Sequence, residues 1–455
     1  MFESFRKIHF IGIGGIGMSG IAELLHNLGY EVTGSDMRES ETTKRLRRLG
    51  ITVHIGHGME NIANAHVVVT SSAVKGDNPE VAAAAQQQIP VIPRAEMLAE
   101  LCRLKYSVLI AGAHGKTTTT SLTSSILTAA HMDPTVVIGG RLKATGANAV
   151  LGSGSFIVAE ADESDGSFLM LSPAIAVATN IDREHMEYFG DLEALKRAFI
   201  SFLNKVPFYG SSIVCIDNEH IRGVLPELHR RYMTYGFTPE ADIFAHSIEH
   251  RGFKMEYSAV YKGRDIGRIV LPLIGRHNVL NSLAAIGVGM ELKVPVETIV
   301  RGLGEFGGIQ RRFELKGERR GIKVFDDYGH HPTEIKAILS AARMAVKGRV
   351  CVVFQPHRYT RTASLIGEFA EAFGDADRVF VLDIYPAGEK PIAGINSGVL
   401  VEAISRHRRE VAYVEDTEAL MKMLDEEMRP GDVLITLGAG NVYALGERFL
   451  GEGAG

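Results

Sequence analysis

Short apolar runs that end in glycine or polar clusters alternate along this chain with stretches of helical spacing. Residues 7–13 read as a strand. Gly12-x-Gly14-x-x-Gly17 overlaps its end and opens a helical pattern over 18–28. Residues 32–35 form a second strand ending at Asp36, and further strands are predicted at 53–55, 67–70 and 90–92. The run 108–111 is again apolar, breaks into Gly112-Ala113-His114-Gly115, and continues from Lys116 as a helix through Leu127. Strands at 156–159 and 174–179 each terminate in polar residues, helical spacing covers 191–203, and a strand follows at 213–216. Residues 242–270 read as antiparallel strands around the Lys262-Gly263 turn. After FGGIQRR (306–312) come strands at 324–325, 349–354, 379–384 and 432–437, each finishing in a polar or glycine loop. Strands alternating with helical patterns predict open α/β sheets.

A length of 455 residues suggests about three domains. Apolar content of 45% and charged content of 23% fit a soluble globular chain, and a net charge of −5 gives no broad electrostatic case for nucleic acid. Cys102, Cys215 and Cys351 fit no zinc or redox spacing, which suits a reducing cytoplasmic setting. No apolar run approaches the roughly 20 residues that span a bilayer, and glycines interrupt the apolar patch near the N-terminus, so neither membrane insertion nor a secretory signal is expected.

The strongest chemistry lies in SVLIAGAHGKTTTT (107–120). Strand, glycine turn, Lys-Thr and helix form the layout of a phosphate-binding loop, here in the short version Gly112-x-x-Gly115-Lys116-Thr117. Backbone N–H groups and the helix N-terminus attract phosphate oxygens, Lys116 adds charge, and the Thr117 hydroxyl suits Mg²⁺. The first glycine cluster, with Asp36 about 20 positions on, matches a dinucleotide fingerprint but leaves the nucleotide open. Ser71 and Ser72 follow a strand and are either ligand contacts or plain turn residues. In the acidic run 160–165 most members read as solvated loop, and Glu160, the first residue off its strand, is singled out as a metal ligand, with His185 beyond the next strand. Asn278 and Asn281, spaced i,i+3, suit a purine edge or simply cap a helix. Arg358 and Arg361 suit a carboxylate clamp or a solvated basic loop, and His330-His331 lacks zinc spacing.

Together, IGIGGIGMSGIA, GAHGKTTTT, EADESDGSF, NIDREHMEYF, GRHNVLNSLAA, RRFE, DDYGHHPTEI, FQPHRYTRT and YPAGE resemble the Mur ligase family, which assembles the peptide of bacterial peptidoglycan. The resemblance implies three α/β domains. These are a Rossmann-like UDP-sugar domain (1–104), a central ATP-binding P-loop domain with a mixed sheet (105–310), and a Rossmann-like amino-acid-binding domain (311–455). It implies ATP-dependent ligation of L-alanine to the lactyl carboxylate of UDP-N-acetylmuramate through an acyl phosphate. Gly112, Ala113, His114, Gly115, Lys116, Thr117 and Thr118 would hold phosphates, with Mg²⁺ on Thr117, Glu160 and His185. Asn278 and Asn281 would lie at the adenine, Arg312 at the phosphates and Asp327 at the ribose. Tyr328, His330, Arg358 and Arg361 would place L-alanine and the muramoyl carboxylate. Gly14, Gly15, Ile16, Gly17, Asp36, Ser71 and Ser72 would bind the UDP-sugar.

By the same resemblance Lys116, Glu160, His185, Arg358 and His330 are the catalytic candidates, His330 as base for the alanine amine. Phe199, rather than Lys196, matches the position where relatives carry a carbamylated lysine, so carbamylation is not expected. Gly307-Gly308 reads as a hinge for closure. A tripeptide-adding relative, a nicotinamide oxidoreductase on the first glycine motif and a nucleotide-switch binding protein are the alternatives. Monomer and homodimer both remain open.

Overall fold

Apolar runs in the first hundred residues pair into a five-stranded parallel sheet, ordered Thr52–Ile55, Glu31–Asp36, Lys7–Ile11, Val67–Thr70, Val91–Pro93. The order reverses beside Lys7–Ile11, so the crevice at its carboxyl end lies between that strand and Val67–Thr70. The strand stops at Ile11, not at residue 13, because the Gly12 and Ile13 N–H groups both turn onto the Ser35 carbonyl, at 2.8 and 3.0 Å. Gly12 takes φ +78° there, and the helix Ile16–Asn27 starts without a side-chain cap, leaving N–H groups for an anion.

The computed structural model describes residues 5–71, 73–139, 148–407 and 410–451. The chain divides into two compact units: Met1–His246 with Ser258–Ile269 and Leu280–Phe306, and Ser247–Tyr257 with Val270–Val279 and Gly307–Gly455. No helix among the described residues is long and apolar enough to cross a membrane.

In the first unit, Tyr106–Ala111 lies between Ile175–Ala178 and Phe156–Glu160, parallel to both. Ser211–Cys215 and Tyr232–Gly236 extend the sheet on one side, and Thr135–Val137 with the antiparallel Ala149–Val150 on the other. The carboxyl ends of three neighbouring strands therefore converge on one crevice. Residues 108–111 are fully buried, as expected for a strand covered on both faces. Helix Lys116–Ala129 contains four consecutive threonines of modest helix propensity; burial of residues 117–124 holds them helical.

The second unit carries a six-stranded sheet, ordered Glu314–Arg319, Ile322–Asp327, Val433–Leu437, Val350–Phe354, Arg378–Val381, Val411–Tyr413. The first pair is antiparallel and the rest parallel. Alternate residues feed two cores: Val350, Val352 and Phe354 into one, Cys351 and Val353 into the other. The strand expected over 379–384 ends at Val381. Beyond it the chain pairs with the loop after Val350–Phe354: Tyr385 N–H donates to Pro356 O (2.8 Å), and Arg358 N–H to Tyr385 O (2.9 Å).

Candidate functional site

The phosphate loop is shaped by its neighbour strand. Thr179 Oγ1 donates to His114 O at 2.6 Å, Asn180 Nδ2 to the same carbonyl at 2.9 Å, and His114 N–H to Asn180 Oδ1 at 2.8 Å. A Cβ on Gly112 would fall 2.0 Å from Thr179 Oγ1, and one on Gly115 would fall 2.4 Å from Asn281 Oδ1; both glycines have positive φ. Only glycine fits that approach. His114 Nε2 stands 3.2 Å from Asp182 Oδ2. Thr117 and Thr118 open the helix with little exposure.

Lys116 Nζ turns back over the loop, donating to Gly112 O at 2.6 Å and to both carboxylate oxygens of Glu163 at 2.7 and 3.0 Å. Burial works against its charge, but Glu163 and Asp162 outweigh that and hold the ammonium well above the ordinary lysine range. Within the acidic run, Glu163 departs from the expected solvated loop, being only 2% exposed, while Asp165 is exposed. Glu160 is the last residue of its strand, not the first beyond it, and its Oε1 accepts from Gly139 N–H at 2.7 Å. The carboxylates recorded beside His185 are Glu163, Glu184 and Glu187, at 3.9, 3.8 and 3.9 Å. Glu163, Glu184 and His185 present ligand atoms all within 4.8 Å of one another. Two carboxylates and an imidazole within that span are donors that fit a divalent cation. Sequence reasoning did not single out Glu163 and Glu184; their place in the loops that follow Phe156–Glu160 and Ile175–Ala178, the strands flanking the phosphate-loop strand, was the available signal.

At the first sheet, Gly14 N–H donates to Asp36 Oδ2 at 2.8 Å, so Asp36 fixes the glycine turn itself. Ser71 Oγ lies 3.3 Å from where a Gly12 Cβ would be. Gly14, Gly15, Gly17, Asp36 and Ser71 are gathered at this crevice; Ser72 and the Ile16 side chain lie outside the described residues. The Arg94 guanidinium stands over Gly17 and 3.4 Å from Asp162.

Helix Arg276–Glu291 carries both asparagines. Asn281 Oδ1 accepts from Thr119 Oγ1 at 3.3 Å behind the phosphate loop, in the first unit. Asn278, in the second unit, donates from Nδ2 to Ile274 O at 2.8 Å.

In the second unit the polar residues after Ile322–Asp327 and Val350–Phe354 meet. Asp327 accepts from Gly329 N–H (2.7 Å) and Phe313 N–H (2.6 Å). Burial pushes its carboxyl up to about 7, against the pull of Arg312 and those backbone donors. The Arg312 guanidinium lies over the Tyr328 ring, and His330 stands edge-on to Tyr328 and 5.8 Å from the His357 ring. His357 stacks on Tyr385 and lies 3.4 Å from Arg361 Nη1. Burial, with His330, Arg361 and Arg358 around it, lowers His357 to about 4. Arg358 adopts φ +72° at the start of the following helix. His357 and Tyr385 were not singled out from sequence, although both sit in strand-end loops. Lys196 is engaged with Glu193 at 2.8 Å, while Phe199 is buried.

A glycine turn at the end of a central parallel strand, followed by a lysine that opens the helix and facing acidic residues beyond the neighbouring strands, defines a phosphate-loop α/β protein with a second glycine-loop sheet before it. The chain matches the models "Mur ligase family, catalytic domain" over residues 7–106, "Mur ligase middle domain" over 110–289 and "Mur ligase, glutamate ligase domain" over 311–440. It belongs to the Mur ligase family. It is 54% identical over 452 residues to the UDP-N-acetylmuramate–L-alanine ligase of Geobacter sp. (strain M21), covering 99% of this chain and 98% of that one. The ligase of that description from Geotalea uraniireducens (strain Rf4) is 55% identical over 451 residues, at the same two coverages. Among solved structures, the UDP-N-acetylmuramate–alanine ligase of Thermotoga maritima superimposes with a TM-score of 0.84 at 29% identity, covering 98% of each chain.

Proposed function

We propose that this chain joins L-alanine to the lactyl carboxylate of UDP-N-acetylmuramate at the expense of ATP. The observation that carries it is full-length identity of 54–55% to ligases of that description, on a chain whose own phosphate loop is complete. The lactyl carboxylate attacks the γ-phosphorus, the bond to the β-phosphate oxygen breaks, and ADP leaves. The alanine amine then attacks the acyl carbon, expels phosphate and loses a proton. Two anions meet in the first step, so charge neutralisation dominates. Lys116 and the N–H groups of residues 112–118 serve the β- and γ-phosphates. Thr117, Glu160 and His185, with Glu163 and Glu184 beside His185, are the residues to hold Mg²⁺, which supplies further neutralisation of the phosphate oxygens when bound.

We assign the first sheet (1–104) to the UDP-sugar, the central region (105–310) to ATP and 311–455 to the amino acid. The diphosphate sits at the uncapped helix N-terminus after Gly15. In the second unit, Arg358 and Arg361 suit the alanine carboxylate. His357, held neutral, adds an imidazole without competing positive charge, and His330 is the candidate base.

Phosphate release measured with ATP, UDP-N-acetylmuramate and a panel of amino acids tests the reading. Release is expected with L-alanine and only when both substrates are present. Release with a preformed tripeptide but not with alanine would replace it by the tripeptide-adding activity.

A further inference from the structure

Lys116 is the charge expected to meet a phosphate, yet its donors are already taken. An ammonium has three N–H bonds. They are shared here among Gly112 O at 2.6 Å, the two Glu163 oxygens at 2.7 and 3.0 Å, and Ala113 O at 3.4 Å. Glu163 is 2% exposed, so its carboxylate reaches Lys116 with little screening by water. A triphosphate entering this loop meets a lysine already neutralised and a buried negative charge beside it. Glu163 Oε1 also faces His185 Nε2 at 3.9 Å, and Glu184 completes a set of ligand atoms within 4.8 Å. The same carboxylate therefore has two possible partners, the ammonium on one side and a cation held with His185 and Glu184 on the other.

We propose that Glu163 is the stand-in anion of the nucleotide-free site, and that ATP binds tightly only when a divalent cation takes this carboxylate over and releases Lys116. The inference rests on the assignment of this loop to ATP and deepens it. Removing the charge of a residue that only supported the fold would weaken ATP binding. Removing a competing counter-ion strengthens it when no cation is present.

Equilibrium binding of ATP to the full chain, by calorimetry in EDTA and again in Mg²⁺, separates these. Glu163→Gln keeps the shape and an acceptor for Lys116 but drops the charge. It is expected to bind metal-free ATP about tenfold more tightly than the parent, about 1.4 kcal/mol, and to lose that advantage in Mg²⁺. Glu163→Asp, which withdraws the charge by one methylene, should fall between the two, and it reads the same effect if the Gln variant does not fold. Metal-free affinity equal to or weaker than the parent's, in variants that melt as the parent does, overturns the counter-ion role while parental binding of ATP in Mg²⁺ still supports the ATP assignment. Absence of ATP binding by every form in both buffers overturns both.

Discussion

Glu80 shows what one buried charge does in this protein. It is fully enclosed and accepts from Ser35 Oγ and Asn61 Nδ2, both at 2.6 Å, and from Gly58 N–H at 3.2 Å, with His9 Nε2 at 3.3 Å. Burial opposes its ionisation, but the bonds from His9, Ser35 and Asn61 win and bring its carboxyl from 4.5 down to about 2. A depressed carboxyl stabilises the fold fully above its unfolded value and loses that contribution as pH falls toward the folded one. Stability from Glu80 should therefore be complete above about pH 4.5 and drain away toward pH 2, with about 3 kcal/mol at stake. Urea unfolding of Glu80→Gln should show a loss of that order at pH 7 that shrinks near pH 3. An equal deficit at both pH values would count against the charge as its source. Gly112 is a second single-residue test. Its φ of +138° and the 2.0 Å approach to Thr179 Oγ1 leave no room for a methyl group. Gly112→Ala should lower stability by about 1–3 kcal/mol and abolish ATP binding, read by melting and by calorimetry.

Among the elements, Val350–Phe354 is the most legible and carries a third prediction. Five apolar residues in a row, buried on both faces, announce a central parallel strand. Phe354 is fully buried, with the rings of Phe369 and Phe373 at 5.7 and 5.1 Å. Phe354→Ala should cost about 3–5 kcal/mol, visible as a lowered denaturant midpoint for the second unit. Glu314–Arg319, at the edge of the same sheet, escaped the sequence reading because an edge strand of Glu, Leu, Lys, Gly, Glu and Arg has no apolar alternation, and its Leu315 is 47% exposed. The Arg320-Gly321 turn, with φ of +54° and +74°, was the signal that a hairpin was present. The phosphate loop was readable because its strand, turn and helix are contiguous. Glu163 was not, because its meeting with Lys116 depends on a turn after Phe156–Glu160, a strand paired with Tyr106–Ala111 across some fifty positions. Local pattern identifies such loops, but not which of several carboxylates folds back onto them.

For the whole molecule, the consequence worth testing is that the two glycine loops belong to different sheets. The loop at Gly12–Gly17 is fixed by Ser35 and Asp36 of the first sheet, and the loop at Gly112–Lys116 by Thr179 and Asn180 of the second. Among the described residues, the bonds that shape the two loops come from separate sets of residues. Lys116→Ala removes the ammonium without touching the Asp36–Gly14 contact. It leaves Glu163 buried without its cation, so some loss of stability accompanies it, on the order of 1–3 kcal/mol. Turnover should fall by at least about a hundredfold, the usual effect of deleting one stabiliser of transition-state charge. UDP-N-acetylmuramate affinity, followed by calorimetry without ATP, should stay within about threefold of the parent's. A parallel collapse of both, in a variant still folded by circular dichroism, would mean that the sugar nucleotide shares the Lys116 loop and that the first sheet serves another ligand. Retained sugar binding with lost turnover is the outcome that two separately built phosphate cradles require.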